Sequence, residues 1–152
     1  MGLLAATGAV NAIGKDGKCR ILSLRGGGIH GAWEAGVLKG MLENMPDGSM
    51  EYDYISGVSV GALAASVFAT FPKGEEKEAI ETITDLYAGR ATKDLFEMYK
   101  PAIIAPWRHD SMTSNKNMVD LLAETLGDKP FVRCLSFLSC DLANGQVVVF
   151  DE

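Results

Sequence analysis

At 152 residues, with 47% apolar and 22% charged content, the chain has the make-up of one ordinary globular domain and fits no disordered or fibrous class. A net charge of -6 excludes a nucleic-acid binder that relies on a basic stripe. It also disfavours electrostatic docking of the whole chain on anionic membranes, so that any lipid contact is expected to be mainly apolar.

No apolar run approaches the roughly 18 residues of a membrane span. Residues 2–12, GLLAATGAVNA, read either as the end of a signal peptide lacking its positive n-region or as a plain N-terminal arm. The compartment stays open accordingly: secretory or endomembrane in the first case, cytoplasmic in the second. Residues 1–18 are set apart as this arm, and residues 19–152 are read as the N-terminal portion of one domain.

Cys19 to Leu24 reads as a short buried strand ending at a glycine cluster. Val37, Leu38, Met41, Leu42 and Met45 recur at helical spacing until Pro46-Asp47-Gly48 stops them. Tyr52 to Ser56 is the second strand. Val60 to Phe71, apolar or small at nearly every position, predicts a helix buried all round. After a charged start at residues 74–78, Ala79, Ile80, Ile83, Leu86 and Tyr87 line one face of an amphipathic helix, with the charge run 75–81 on its solvated side. Residues 100–113 hold two prolines and read as a loop. Met118, Leu121, Leu122 and Leu126 form another stripe, closed by Gly127 and Pro130. Phe131 to Leu142 and Gln146 to Phe150 flank Asn144-Gly145, which predicts a tight hairpin turn with positive φ at both centres. The order predicts a three-layer α/β/α fold with a mixed, mainly parallel sheet, incomplete at its C-terminus.

The cysteines are Cys19, Cys134 and Cys140, an odd count with no C-x-x-C, and no zinc or other metal site is expected. In one extended strand Cys134 and Cys140 stand about 20 Å apart, beyond disulfide reach. They are read as buried apolar thiols.

Chemistry concentrates at two glycine-rich bends. Gly57-Val58-Ser59-Val60-Gly61 stands between a strand and a helix, where small flanking residues allow a sharp turn that exposes Ser59 at a helix N-terminus. A serine hydroxyl is a poor nucleophile, and acyl transfer also demands amide donors for the oxyanion. Gly26-Gly27-Gly28-Ile29-His30-Gly31 follows strand one, and consecutive glycines let several N–H groups converge on one small anion. In a parallel unit both bends fall at the same sheet edge. The pentapeptide alone is weak evidence, and the pairing carries the reading. Gly26, Gly28 and Gly31 also satisfy G-x-G-x-x-G, but a dinucleotide site expects an acid at the far end of strand two. Here Glu51 and Asp53 stand at its beginning.

ILSLRGGGIHGAWEAGVL, YDYISGVSVGALAA and CDLANGQVVVF resemble the opening strand and oxyanion loop, the nucleophile elbow and a later hairpin of the patatin-like phospholipase family. The likeness covers roughly residues 19–150. It implies a serine lipid acyl hydrolase, of phospholipase A type or related, acting through an acyl-Ser59 intermediate on a phospholipid or other acyl lipid. It implies Gly26, Gly27, Gly28 and Gly31 as the oxyanion loop, Gly57, Val58, Val60 and Gly61 as the elbow, and no cofactor. His30 departs from the family, whose members often carry Arg or Lys there. The family's second catalytic residue is an aspartate in a D-G-G or D-G-A turn, which this sequence does not contain. Asp16-Gly17 and Asp47-Gly48 are better read as ordinary turns. The general base is therefore expected beyond Glu152, with residues 1–152 nearly inactive alone. The alternative is a non-catalytic lipid-binding or pseudoenzyme module.

His109, in Pro106-Trp107-Arg108-His109-Asp110, reads as a solvated loop histidine rather than a triad member. The apolar segment 101–107 either lines an acyl groove and touches a lipid surface transiently or packs on the core.

Overall fold

The computed structural model describes residues 16–88, 95, 97–100, 105–109 and 111–151, so residues 1–15 of the arm 1–18 and residues 101–104 of the apolar segment lie outside the described residues. The chain divides into two compact units, Met1–Tyr87 with Pro130–Glu152, and Ala88–Lys129.

The first unit carries the sheet. Its strands are β1 (Ile21–Leu24), β2 (Tyr54–Val58), β5 (Cys134–Asp141) and β6 (Gln146–Asp151), in the order β1-β2-β5-β6. β1, β2 and β5 run parallel, with Leu22 opposite Ile55 and Ile55 opposite Leu135. β6 closes antiparallel on β5. The helices are α1 (Gly31–Asn44), α2 (Val60–Ala69) and α3 (Glu76–Tyr87). The sheet is mixed and mainly parallel, and the fold is of the three-layer α/β/α class.

Packing follows the apolar pattern of the chain. Ile55 and Leu135, on neighbouring strands, are buried with Ala64, Ala65, Val67 and Phe68 of α2 and Ala79, Ile80 and Ile83 of α3. No residue of α2 is exposed, as its uniformly apolar composition demands, and small side chains let it lie close to the strands. α3 sinks one stripe and keeps Lys77, Glu78, Glu81 and Asp85 outside, but Glu76, expected on the solvated side, is buried because it pairs with Arg133.

Three expectations are corrected. β1 is not a buried strand: Leu24 is buried, but Ile21 is 62% exposed and Cys19 lies on the surface. Among the described residues the strand pairs on one side only, with β2, and so stands at the edge of this sheet. The cysteines are not buried thiols, since Cys19 and Cys140 are exposed and Cys134 is half-buried, all three free. The hairpin turn has positive φ at Gly145 but not at Asn144. It is a four-residue turn, Leu142 to Gly145. The Gly145 amide donates to the Asp141 carbonyl at 2.7 Å, and side-chain oxygens of Asp141 and Asn144 accept from Ala143 and Gln146. Those side-chain acceptors stabilise a longer turn that the dipeptide rule does not anticipate.

Two buried charges tie the strand starts together. Arg133 donates to the carbonyls of Phe71, Pro72 and Tyr52 and to Glu76 Oε1, and its guanidinium lies 4.9 Å from the Phe68 ring centroid. With its planar fork satisfied, this buried cation costs little of the usual desolvation. Asp53 accepts from the Arg20 amide at 2.7 Å and from the Lys73 ammonium. Burial by itself raises the Asp53 carboxyl, but these donors and the nearby positive charges outweigh it and hold the group below the ordinary aspartate range. A depressed folded-state pKa contributes stability that is present above the unfolded value of about 3.9 and is lost as pH falls through the folded value. Asp53→Asn is therefore expected to destabilise the protein at neutral pH and, in urea titrations, to reduce the loss of stability as pH falls below about 4. An unchanged acid limb would contradict this role.

The second unit holds a short antiparallel pair, β3 (Glu97–Met98) with β4 (Thr113–Ser114), the turn-length helix α4 (Ala105–Arg108) and α5 (Lys116–Thr125). The stretch read as a loop thus contains α4 and β4. Of the α5 stripe Leu121 is buried, while Met118, Leu122 and Leu126 are half-buried.

Candidate active site

β2 ends at Val58, two residues further than its pattern suggests, and Ser59 turns the chain directly into α2. The turn is sharp because Ser59 takes φ 55° and ψ -123°. It is the one non-glycine residue with positive φ among the described residues. Such a conformation costs about 1–3 kcal/mol and persists only where the surroundings hold it. Here they do. The Ser59 carbonyl accepts from the Ala62 and Leu63 amides, starting α2, while its side chain makes no capping bond to the helix. Ser59 and Val58 are exposed. The hydroxyl is therefore presented at the helix N-terminus, where the dipole favours negative charge.

The flanking glycines are required by contact. A Cβ on Gly57 would lie 2.3 Å from the Gly61 carbonyl oxygen, and one on Gly61 would lie 2.4 Å from that of Leu24 and 2.6 Å from that of Arg25. The elbow is thus pressed against itself and against the end of β1.

That contact brings the second bend alongside. A Cβ on Gly26 would stand 3.1 Å from both Ser59 Cβ and the Val58 carbonyl oxygen, so the triple-glycine loop and the serine turn are neighbours. Gly27 and Gly28 have φ of 152° and 57°, and the 3-10 turn Gly28–His30 then leads into α1. At Gly28 a Cβ would meet nothing within 4 Å, so this side of the loop is open.

Two side chains from outside the motifs brace these bends. The Arg25 amide, just before the glycines, donates to Glu34 Oε1 at 2.9 Å; the other oxygen of this buried carboxylate has no partner among the described residues. Tyr87 donates its hydroxyl to the carbonyl of Val60, next to the serine, at 2.7 Å. A Cβ on Gly31 would meet Val60 Cγ2 at 2.6 Å and the Tyr87 ring at 3.1 Å. Burial, and after it the negative charge of Glu34, push the Tyr87 phenol well above its ordinary range, so it stays a donor. Neither residue was singled out for the site from sequence. Glu34 looks like a solvent-facing charge on a helix, and Tyr87 continues an apolar stripe.

Other expectations fall elsewhere. His30 is exposed and ends the 3-10 turn. His109 belongs to the second unit, exposed and stacked on Tyr99 with ring centroids 3.7 Å apart. Asp16 accepts from the Lys18 amide and pairs with Arg20, and Gly17 and Gly48 have positive φ, as turn residues do. Among the described residues no cluster could hold a metal ion, and no helix is long and apolar enough to cross a membrane. A cavity lined by Met41, Met45, Met50, Glu51 and Lys77 sits by the C-terminal end of α1, about 20 Å of helix from Gly31, and plays no part in the site.

A strained, exposed hydroxyl beside a glycine nest can attack a carbonyl and stabilise the resulting oxyanion, which is acyl-transfer chemistry. A family model described as patatin-like phospholipase matches residues 22–150. No curated protein matches the chain.

Proposed function

Because the chain belongs to the patatin-like phospholipase family, whose members are generally carboxylic ester hydrolases acting on lipids, we propose that it is a serine lipid acyl hydrolase with Ser59 as nucleophile. The carrying observation is the neighbourhood of Ser59 and Gly26. In the proposed reaction Ser59 Oγ attacks the ester carbonyl of an acyl lipid as its proton passes to a general base. The carbonyl oxygen becomes an oxyanion held by loop amides near Gly27 and Gly28; the Gly31 amide, expected from the sequence to join them, instead donates to the Gly28 carbonyl and closes the 3-10 turn. Collapse expels the alcohol portion with a proton and leaves acyl-Ser59, which water then cleaves to fatty acid and free serine. Val58 and Val60 complete the elbow, and no metal or organic cofactor takes part.

The base in this family is an aspartate of a D-G-G or D-G-A turn, and residues 1–152 contain neither tripeptide. That absence favours a second reading, a non-catalytic lipid-binding module. A fluorophosphonate probe separates the two. On the hydrolase reading the full protein is phosphonylated at Ser59 and at no other serine, and Ser59→Ala removes the label. A folded full protein that stays unlabelled establishes the binding-only reading. Residues 1–152 by themselves should hydrolyse a short nitrophenyl ester only at the residual rate that oxyanion stabilisation and binding provide. Rapid hydrolysis, lost in Ser59→Ala, would place a base within these residues.

A further inference from the structure

The oxyanion loop has no side chains with which to hold itself. Glycine turns freely about φ and ψ, so the amides of the run 26–28 point where its two ends aim them. The downstream end is fastened by the 3-10 turn, in which the His30 amide donates to the Gly27 carbonyl at 3.2 Å and the Gly31 amide to that of Gly28. The upstream end leaves β1 after its last paired residue, Leu24, and enters the run through the Leu24–Arg25 peptide.

That peptide is gripped from two helices. Its carbonyl oxygen abuts Gly61 of α2, so closely that a Cβ there would lie 2.4 Å away. Its N–H, on Arg25, donates to Glu34 Oε1 of α1 at 2.9 Å. A peptide unit is a rigid plane, and holding both ends fixes that plane and hence the direction in which the chain enters Gly26. Gly61 sets a limit of approach, whereas Glu34 supplies a directional bond.

Packing does not explain an acid at this position. Glu34 is 9% exposed and lies on the inward row of α1 with Gly31, Ala35 and Leu38, where an apolar side chain would serve the core. Its Oε2 has no partner among the described residues, and a buried carboxylate with an unmatched oxygen is costly. The N-terminus of α1 offsets part of that cost. What the acid adds is a carboxylate acceptor for the Arg25 amide, stronger than a neutral one. Departures of this kind from the apolar pattern concentrate at functional sites.

We propose that Glu34 is a positioning residue for acyl transfer: by holding the Leu24–Arg25 peptide it aims the loop amides near Gly27 and Gly28 at the oxyanion. The proposal rests on the hydrolase reading of Ser59 and adds to it a residue outside both glycine motifs. Amide donors matter most once charge develops on the carbonyl oxygen. Loosening their aim should therefore lower kcat and leave KM nearly unchanged.

The test compares Glu34→Met with Glu34→Gln in the full protein, with nitrophenyl butyrate as substrate. Both variants lose the charge at nearly constant side-chain length, and only Glu34→Gln keeps an oxygen that accepts from the Arg25 amide. Glu34→Met should lower kcat about a hundredfold, the scale of a misaimed oxyanion donor, with KM within about twofold. Glu34→Gln should stay within about fivefold of the parent kcat, because a neutral acceptor is weaker but still directional. Amide hydrogen exchange, read in a Ser59→Ala background, should show protection of Arg25 lost in Glu34→Met and kept in Glu34→Gln. Urea midpoints of both variants should stay close to the parent's, since an unbranched side chain suits a buried helical position.

Equal kcat in the two variants overturns the proposal, whether both stay active or both fall, because the acceptor is what separates them. A loss in Glu34→Met that matches a loss of folded protein, or that is carried by KM, overturns it as well. Failure of the hydrolase reading looks different: the parent itself neither turns over the ester nor takes a fluorophosphonate at Ser59, and the proposal falls with it. Unaltered turnover by Glu34→Met, in a protein that does label at Ser59, removes Glu34 alone.

Discussion

Ser59→Gly is expected to abolish lipid turnover by the full protein and at the same time to make it more stable. Losing the nucleophile should lower kcat by about a thousandfold or more, since a hydrolase without it retains only binding and oxyanion stabilisation. The stability gain has a separate origin. Ser59 sits at φ 55°, ψ -123°, where a side chain is strained, and its own side chain makes no capping bond to α2. Glycine adopts that backbone freely, so replacing Ser59 should raise unfolding free energy by about 1 kcal/mol. Ser59→Ala supplies the comparison, because it removes the hydroxyl and keeps the Cβ that causes the strain. Both variants should be inactive, and urea unfolding should place the glycine variant above the alanine one. Equal stability of the two would mean that no strain is stored at the elbow, and activity surviving in either would remove Ser59 from the chemistry.

The parts of this site that were legible in the sequence are those fixed by local backbone geometry. Gly57, Ser59 and Gly61 announce a tight strand-to-helix turn because few other residues fit one, and the glycine run at 26–28 announces a loop where side chains are excluded. Their side-by-side placement followed from one further step, the parallel pairing of β1 with β2. The remainder depends on contacts between distant residues, which periodicity does not encode. Glu34 has the look of a surface acid until the Arg25 amide is seen on its carboxylate. Tyr87 belongs to an apolar stripe by spacing, yet its hydroxyl reaches the Val60 carbonyl, 27 residues away in sequence. The exposure of Val37 on α1 was hidden for a related reason. Val37 and Leu38 both suit a helical stripe, and only the packed structure reveals that Leu38 is buried while Val37 faces water. β1 shows the same limit at the level of the sheet, where an apolar run cannot say whether it has one neighbour or two.

Gly61→Ala should unfold the protein or cost more than about 3 kcal/mol, far beyond the usual effect of adding one methyl group. The new Cβ would stand 2.4 Å from the Leu24 carbonyl oxygen and 2.6 Å from that of Arg25. Side chains can rotate away from a clash, but these are backbone atoms at the end of β1. Relief requires α2 to withdraw from the strand, and that movement also carries the serine turn away from the glycine loop. A small population that still folds should therefore lose its reactivity toward a fluorophosphonate as well. Gly40→Ala is the matched control. It makes the same chemical change in the interior of α1, where the added carbon meets nothing within 4 Å. That substitution should stabilise the helix by about 0.5–1 kcal/mol, since alanine loses less backbone entropy on folding. The opposite signs follow from position alone: Gly61 is required for close approach, Gly40 is not. A Gly61→Ala protein with native stability and normal Ser59 labelling would show that α2 and β1 can separate without consequence, and the common origin of fold and site at this contact would have to be given up.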